Sequence, residues 1–503
     1  MKVDDLLANK ELWFVTGSQH LYGPEVIEQV ERDARSIVDG LNGDKRIPIK
    51  IVPKAVLTSS DAIARMLADA GSSPECIGVI AWMHTFSPAQ MWMPGLKTLA
   101  KPLLHLHTQH NAEIPWDSID MDFMNLNQSA HGGREFGFAV TRLGVPRKVV
   151  VGHWKEQRVQ EQIGAWSTVA LAHHDATVGR IARFGDNMRR VAVTEGNKVS
   201  ARAQFGYSVE GFGVGDLVEY VDAVSDADID RTVEEYRSEY EIAKGLDKGG
   251  ERHEALRYAA RQEIGIRRFL DEGGFTGFTT SFEVLHGLDQ LPGLAPQRLM
   301  AQGYGFGAEG DWKTAAFLRT AKVMAIGRSG GTSFMEDYTY HFTGENSSVL
   351  GAHMLEICPS IAKGKPRIEI HPLGIGGKSD PVRAVFDGQG GAAVNATMVD
   401  LGDRYRMIVN EVDAVAPEKP MPNLPVARVL WKPKPNLEVG AATWILAGGA
   451  HHTVYSQAVT REQLIDYARI TGVEAVVIDE NTTVERFEQE LRWNELYYRF
   501  NRL

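Results

Sequence analysis

The chain has 503 residues, more than one hydrophobic core usually supports, and this length predicts about three domains. Hydrophobic residues make up 43% and charged residues 24% of the chain, which is typical of a soluble globular protein. The net charge of -11 indicates no basic face for a nucleic-acid partner, so we expect none.

The cysteines and the apolar runs indicate a cellular compartment. Cys76 and Cys358 each stand in an apolar setting, PECIGVI and LEICPS, which predicts two buried free thiols in a reducing compartment. The N-terminal segment lacks the uninterrupted apolar run of a secretory signal. The longest apolar runs, such as CIGVIAWM, are less than half as long as a bilayer span. We therefore expect a cytoplasmic protein with no membrane partner.

Strand and helix patterns alternate through the first part of the chain. Strands are predicted at residues 11–16, 47–57, 76–83 and 101–109, with helices at 24–43 and 59–71 between them. Because the strands are apolar on both faces, they predict a parallel sheet covered by helices. Ligands meet such sheets at the loops that follow the strands. These loops are GSQHLYG, MHTFSPAQMW and a long segment at 107–137 that we expect to be functional and without regular structure.

The alternation continues into a second α/β unit and then stops. RIARFGDNMRR and VAVTEG open that unit, and a long helix is predicted at 252–274. After about residue 325, short strand-like runs separated by Gly, Pro and Asp predict an antiparallel β domain or barrel; TWILAGG is one of them. A helix, the strand EAVVID and an amphipathic helix at 484–500 end the chain. We expect domains at residues 1–176, 177–325 and 326–503.

Acidic residues and histidines cluster in three segments between Gly303 and Glu356, and a histidine pair follows near the C-terminus. Carboxylates and imidazoles without cysteine suit a divalent cation such as Mn²⁺. Any one of them could instead be a solvated loop charge or a packed histidine. If the segment of the pair is extended, the two histidines face opposite ways, and at most one should bind the metal. The candidates are Glu309, Asp311, Glu336, Asp337, His353, Glu356, His451 and His452.

Three short patterns match other chemistries but lack the context those chemistries need. Residues 305–310 fit the dinucleotide pattern G-x-G-x-x-G, but the segment before them looks helical instead of strand-like. Residues 327–331 fit the hydrolase pattern G-x-S-x-G, but the aromatic run after them does not predict a helix. Residues 377–379 end like a phosphate-binding loop, yet Pro372 stands where its first glycine should be.

With these motifs in place, the chain resembles the bacterial L-arabinose isomerases along essentially its whole length. The resemblance rests on long segments in the expected order and with no departure at a motif residue. The segments are WFVTGSQHLYGPE, WMHTFSPAQMW, PWDSIDMDFMNLNQSAHGGREFG, RFGDNMR, GYGFGAEGDWKTAA, GGTSFMEDYTYHF, LGAHMLEICPS, DLGDRYR, WILAGGAHHT and RWNELYY.

The resemblance implies an activity, an architecture and an assembly. The activity is conversion of L-arabinose to L-ribulose in L-arabinose catabolism, with one Mn²⁺ per subunit and other divalent ions possible. The architecture is fucose-isomerase-like, with two flavodoxin- or Rossmann-like parallel-sheet α/β domains followed by a C-terminal β-barrel domain. The assembly is a homo-oligomer, usually a hexamer, with sites formed between subunits.

The same resemblance implies roles for individual residues. Gln19 and His131 would contact the sugar, with His131 coming from a neighbouring subunit. The two glutamates of the metal site would also act as acid and base, because the reaction takes a proton from C2 and returns one to C1; which one is the base stays open. The metal ligands would be Glu309, Glu336, His353 and His452.

Other functions compete with this hypothesis. An isomerase for a related sugar, such as L-fucose or D-galactose, differs only in the shape of its pocket. A sugar-binding protein of the periplasmic type also uses paired α/β domains, but the absent signal and the C-terminal β domain argue against it. A dehydrogenase rests only on the weak glycine pattern at residues 305–310.

Overall fold

A five-stranded parallel sheet organises the N-terminal unit, residues 4–174, in the computed structural model, which describes residues 3–500. The strand order is β2-β1-β3-β4-β5, which is the order of flavodoxin-like doubly wound folds. Ligands in such folds bind where the order reverses, here between β1 and β3. The strands are β1 (Glu11–Gly17), β2 (Lys50–Pro53), β3 (Cys76–Met83), β4 (Leu103–His107) and β5 (Lys148–Val151).

The helices of this unit begin where the sequence supplies caps. Ser59 precedes the second helix, and its side chain accepts a hydrogen bond from the Ala62 amide. All eight residues of β3 are buried, as expected for a central parallel strand covered on both faces. The helices are α1 (Gly23–Asn42), α2 (Ser60–Ser72), α3 (Met93–Lys97), α4 (Met121–Leu126), α5 (Ser129–Arg142) and α6 (Gln157–Val178), the last of which ends beyond the unit.

The prediction that residues 107–137 lack regular structure is wrong in its second half, because α4 and α5 lie there. Asp120 caps α4 by accepting a hydrogen bond from the Phe123 amide. The paired glycines of α5 allow close packing: a Cβ on Gly133 would lie 2.4 Å from Nδ1 of His107. Their small size brings α5 against β4.

The second unit begins at Asp175 and opens with a four-stranded parallel sheet in the order β10-β9-β6-β7. Its strands, together with the separate short β8, are β6 (Arg180–Phe184), β7 (Ser208–Phe212), β8 (Glu241–Ile242), β9 (Gly277–Thr280) and β10 (Gly305–Gly307). Its helices are α7 (Lys198–Phe205), α8 (Val214–Asp222), α9 (Asp226–Glu239), α10 (His253–Gly273), α11 (Leu294–Ala301) and α12 (Trp312–Met324).

A closed six-stranded antiparallel barrel follows in the same unit. The strands neighbour one another in the order β15-β18-β11-β12-β17-β16, and β16 returns to pair with β15. The strands of this part are β11 (Thr332–His341), β12 (Ser348–Ala352), β13 (Arg367–Ile370), β14 (Val382–Val385), β15 (Gly391–Asp400), β16 (Tyr405–Val415), β17 (Arg428–Pro433), β18 (His452–Ser456) and β19 (Glu474–Ile478). Two parallel-sheet parts and a C-terminal barrel confirm the predicted fold class.

The remaining pieces surround the barrel. β19 pairs in parallel with β16, and β13, β14 and β8 form a separate small sheet. The last helices are α13 (Leu437–Leu446), α14 (Arg461–Thr471) and α15 (Val484–Phe500). Every residue of α12 is buried, because this helix packs both against β9 and β10 of the parallel sheet and against β11 and β18 of the barrel. It is the central element around which the site is built.

TWILAGG was predicted as a strand, and this prediction is wrong because its first four residues end α13. Asn436 caps that helix by accepting a hydrogen bond from the Val439 amide. A short apolar run does not by itself distinguish a buried strand from a buried helix. Both cysteines, in contrast, are free and buried as predicted. Among residues 3–500, no helix is both long enough and apolar enough to cross a membrane.

Candidate active site

The four residues expected as metal ligands converge in the second unit. Glu309 lies in the turn between β10 and α12, while Glu336 lies in β11. The register of β11 pairs Glu336 with Ala352 on one side and with His452 on the other. Strand pairing thus brings Glu336, the start of β18 and the residue after β12, His353, to one place.

Distances between the donor atoms define the cluster. The Nε2 atom of His353 lies 3.8 Å from a carboxylate oxygen of Glu336, and Nε2 of His452 lies 3.8 Å from one of Glu309. One donor atom each from Glu309, His353 and His452 lie within 4.8 Å of one another. This spacing suits a shared divalent cation.

Each of the two histidines has a carboxylate on its other nitrogen. Glu356 lies 2.5 Å from Nδ1 of His353, and Asp311 lies 3.1 Å from Nδ1 of His452. The Nε2 atoms are buried and have no hydrogen-bond partner among the described residues. An imidazole fixed through one nitrogen by a carboxylate, with the other nitrogen free, is the usual arrangement of a metal-binding histidine. The donor set therefore fits a divalent metal ion.

His451 also lies near the cluster. One donor atom each from Glu336, His451 and His452 lie within 4.8 Å of one another. Burial lowers the pKa of His451 to about 4, so this imidazole is neutral over the physiological range. His452 is fully buried and is the first residue of β18, whereas His451 precedes the strand and is partly exposed.

The charges around the cluster are arranged unevenly. Burial opposes the charge of Asp311, but the Lys313 ammonium at 3.1 Å and the neighbouring imidazole outweigh it and hold the Asp311 pKa far below its usual value. Burial raises the pKa of Glu336. Burial also opposes a charged His353, yet the carboxylates of Glu356 and Glu336 outweigh it and raise the His353 pKa. Asp311, which contacts the His452 imidazole, therefore stays charged, whereas Glu336 is protonated more readily than an ordinary glutamate.

The backbone of Glu309 is in an unusual conformation. Its φ is +61°, in the left-handed region, and Gly310 after it has a φ of +78°. A residue with a Cβ pays about 1–2 kcal/mol for this conformation. Such outliers persist where surrounding contacts hold them, and they concentrate at functional sites.

A small cavity borders the cluster. Glu309, His353 and Glu356 form its polar side. The apolar side is formed by Phe282, Leu285, Leu291, Leu373 and Ile375. A larger cavity lies elsewhere in this unit, but its arginines already pair with acids, as in Arg257–Asp226 and Arg252–Asp380. The smaller cavity is therefore the better candidate for the active site, because carboxylates and an imidazole of the cluster line it.

Gln19 and His131 both lie in the N-terminal unit. Gln19 precedes a short 3-10 helix, His20–Tyr22, after β1. The Tyr22 hydroxyl accepts a hydrogen bond from the Gln128 amide at 3.0 Å, and the carbonyl oxygen of that amide lies 2.9 Å from Nδ1 of His131. The His131 ring stacks on Phe86. The structure thus brings together four of the predicted residues in the second unit and places the other two in the N-terminal unit.

Several residues of the site were missed from the sequence. Asp311 and Glu356 stand among the sequence candidates without an assigned role, and no sequence pattern marks Lys313. An acid three residues after His353 was a usable signal, because carboxylates commonly orient metal-bound histidines. The apolar wall carried no signal, since its members come from segments far apart in the chain.

Comparison with known proteins covers nearly the whole chain. Residues 6–178 match the L-arabinose isomerase N-terminal domain, 180–327 the central domain and 331–474 the C-terminal domain. The chain is 61% identical to an L-arabinose isomerase of Herpetosiphon aurantiacus and 60% identical to one of Anoxybacillus flavithermus, over 98% of each chain in both cases. An L-arabinose isomerase of Geobacillus stearothermophilus is 60% identical over 97% of this chain and 98% of its own. The chain therefore belongs to the L-arabinose isomerase family.

Proposed function

We propose that this protein is a divalent-metal-dependent isomerase that converts L-arabinose to L-ribulose. The observation that carries the proposal is the convergence of two carboxylates with two imidazoles that are each backed by a further carboxylate. The curated relatives are named for L-arabinose, which favours this sugar over the related aldoses.

The metal would be held by Glu309, Glu336, His353 and His452. A bound divalent ion would act as a Lewis acid toward the sugar oxygens. We propose Mn²⁺, one per subunit, because oxygen and imidazole donors without thiolate suit it. His452 is preferred to His451 because it is fully buried and because Asp311 fixes its other nitrogen.

Glu309 and Glu336 would exchange protons with the sugar. The reaction removes a proton from C2 and delivers one to C1, which requires a group that accepts and returns protons near neutral pH. The burial that raises the pKa of Glu336 moves it toward that range. The strained backbone of Glu309 supports a functional role for the second carboxylate.

Sugar contacts from the N-terminal unit and an oligomeric assembly belong to the same proposal. Gln19 would contact the sugar, and His131 would do so from a neighbouring subunit of a homohexamer. Exposed apolar side chains in the N-terminal unit support an interface there, because large exposed apolar patches mark contact surfaces. They are Ile114, Trp116, Ile119, Met121 and Met124. The division at residues 176 and 325 and the cytoplasmic location also stay predictions.

One paired assay tests the function. The purified protein is stripped with a chelator and incubated with L-arabinose, with and without added Mn²⁺, while L-ribulose is followed by NMR. We expect ketose only with the metal. Ketose in both tubes would keep the isomerase and contradict the metal requirement. No ketose in either tube, followed by turnover of another aldose, would contradict the substrate.

A further inference from the structure

The turn that carries Glu309 is fastened to a second loop, residues 185–194, which we call the clamp loop. The Glu309 carbonyl accepts a hydrogen bond from the Met188 amide at 2.9 Å. The next carbonyl, that of Gly310, accepts one from the side-chain amide of Asn187 at 3.1 Å. A Cβ on Gly310 would lie 2.4 Å from the Asn187 Cα, so the two backbones are in direct contact.

Both the nitrogen and the oxygen of the Asn187 side-chain amide form hydrogen bonds. Its Nδ2 donates to Gly310 and also to the Thr194 carbonyl at 2.6 Å. Its Oδ1 accepts a hydrogen bond from Arg183 at 2.5 Å. Only 5% of the residue is exposed. The amide therefore joins three chain segments at the back of the turn, and a carboxylate of the same shape could not donate these hydrogen bonds.

Lys313 connects the clamp loop to the side of the site that holds His452. Its buried ammonium donates to the Thr194 carbonyl at 2.9 Å and to Asp311 at 3.1 Å. The other oxygen of Asp311 contacts Nδ1 of His452. The Thr194 carbonyl is thus a shared acceptor of Asn187 and Lys313, and the clamp loop connects the acidic turn with the support of a histidine.

We propose that Asn187 is a positioning residue for metal binding, which sets the direction of the Glu309 carboxylate by holding its turn against the clamp loop. The inference rests on the proposed function, in which Glu309 is a metal ligand. A residue with positive φ relaxes when its restraints are removed. Metal sites need their ligands held within about 0.5 Å of the productive geometry. Relaxation of the turn therefore moves the carboxylate out of the site while the fold remains.

Metal titration of stripped protein tests the proposal without relying on turnover. Asn187→Ala and Asn187→Asp are each titrated with Mn²⁺ by calorimetry, with circular dichroism to verify the fold. We expect Mn²⁺ to bind about 10- to 100-fold more weakly than in the wild type, the usual cost of losing a residue that supports a ligand. Wild-type affinity in folded Asn187→Ala overturns the proposal.

Asn410 offers a matched control. It is also 5% exposed, and its side-chain amide donates to three backbone carbonyls, those of Glu411, Lys434 and Ile478, none of which belongs to the site. Asn410→Ala should keep Mn²⁺ affinity within about twofold, because distant sites act independently. An equal loss in Asn410→Ala would mean that any buried amide matters, and this result also overturns the proposal.

A double variant separates positioning from general damage. If Asn187 acts through Glu309, then Asn187→Ala should add less than about a twofold loss in a Glu309→Gln background, because coupled residues are not additive. Full additivity overturns the proposal. If Glu309→Gln alone binds Mn²⁺ as tightly as the wild type, the ligand assignment of the proposed function is wrong instead.

Discussion

At the scale of single residues, two adjacent acids on β11 have different environments. Glu336 faces the histidines, at 3.8 Å from His353, while Asp337 accepts a hydrogen bond from the Asn395 amide at 2.9 Å. Successive side chains of a strand point to opposite faces, so only one of the pair can serve the site. Burial raises the pKa of Asp337 to about 7, so about half of its carboxyl groups are neutral at pH 7.

The pair gives a matched test of the acid–base proposal. Glu336→Gln removes a proton-transfer group and should lower kcat by about 10²–10⁴. Glu309→Gln should do the same, whereas Asp337→Asn keeps the shape of its side chain and an oxygen that can accept the Asn395 hydrogen bond, and it should retain most of the turnover. Steady-state kinetics of the three variants, with thermal midpoints near the wild-type value, provide the measurement. Retained kcat in both Glu variants would remove the assignment.

At the scale of elements, the sequence predicted most strands and helices because their apolar periodicity is local. β3 and α10, for example, agree with the predictions within a few residues. The site depends on something non-local, the register that pairs Glu336 with His452 across 116 positions of sequence. Periodicity carries no information on which strands become neighbours, so the convergence could be expected only from the family resemblance. The places of Asn187 and Lys313 beside the site could not be predicted from the sequence for the same reason.

A buried and a partly buried histidine in the N-terminal unit make its stability depend on pH. Burial lowers the pKa of His105 on β4 to about 3 and that of His173 on α6 to about 4. Since these values lie below the unfolded value near 6.5, the unfolded chain binds more protons at acidic pH. The contribution of these two histidines to stability is therefore fully present above about pH 7, and it is lost as the pH drops toward 4. Each histidine should lower the free energy of unfolding by about 2 kcal/mol between pH 7 and pH 5.

Urea unfolding at pH 7 and pH 5 measures this loss. We expect a lower midpoint at pH 5 for the wild type and a smaller drop for His105→Leu, which removes one buried titrating group. His20→Leu, at an exposed histidine of the same unit, should show the wild-type drop. Identical pH dependence in His105→Leu and the wild type would mean that His105 does not control acid stability.

At the scale of the whole molecule, the C-terminal helices leave an apolar surface uncovered. Trp493 on α15 is 64% exposed and Ile445 on α13 is 70% exposed, although the two helices pack against each other. At roughly 200 Å² per large side chain, the exposed fractions sum to about 700 Å². A stable interface buries about 800 Å² on each partner, so this surface is large enough to serve as a contact of the predicted homo-oligomer. The surface consists of Ile445, Leu446, Trp493, Leu496, Tyr497 and Phe500.

Introducing charge on this surface should weaken assembly. In the double variant Trp493→Glu/Tyr497→Glu, association would bury two unpaired carboxylates, which costs several kcal/mol and should reduce the oligomer mass measured by light scattering after size exclusion. Arg486→Gln, an exposed change in the polar first half of α15, should leave the mass unchanged. A wild-type mass of a single chain would contradict the homo-oligomer itself. An unchanged oligomer in the double variant would assign the contacts to other surfaces, such as the apolar segment of the N-terminal unit.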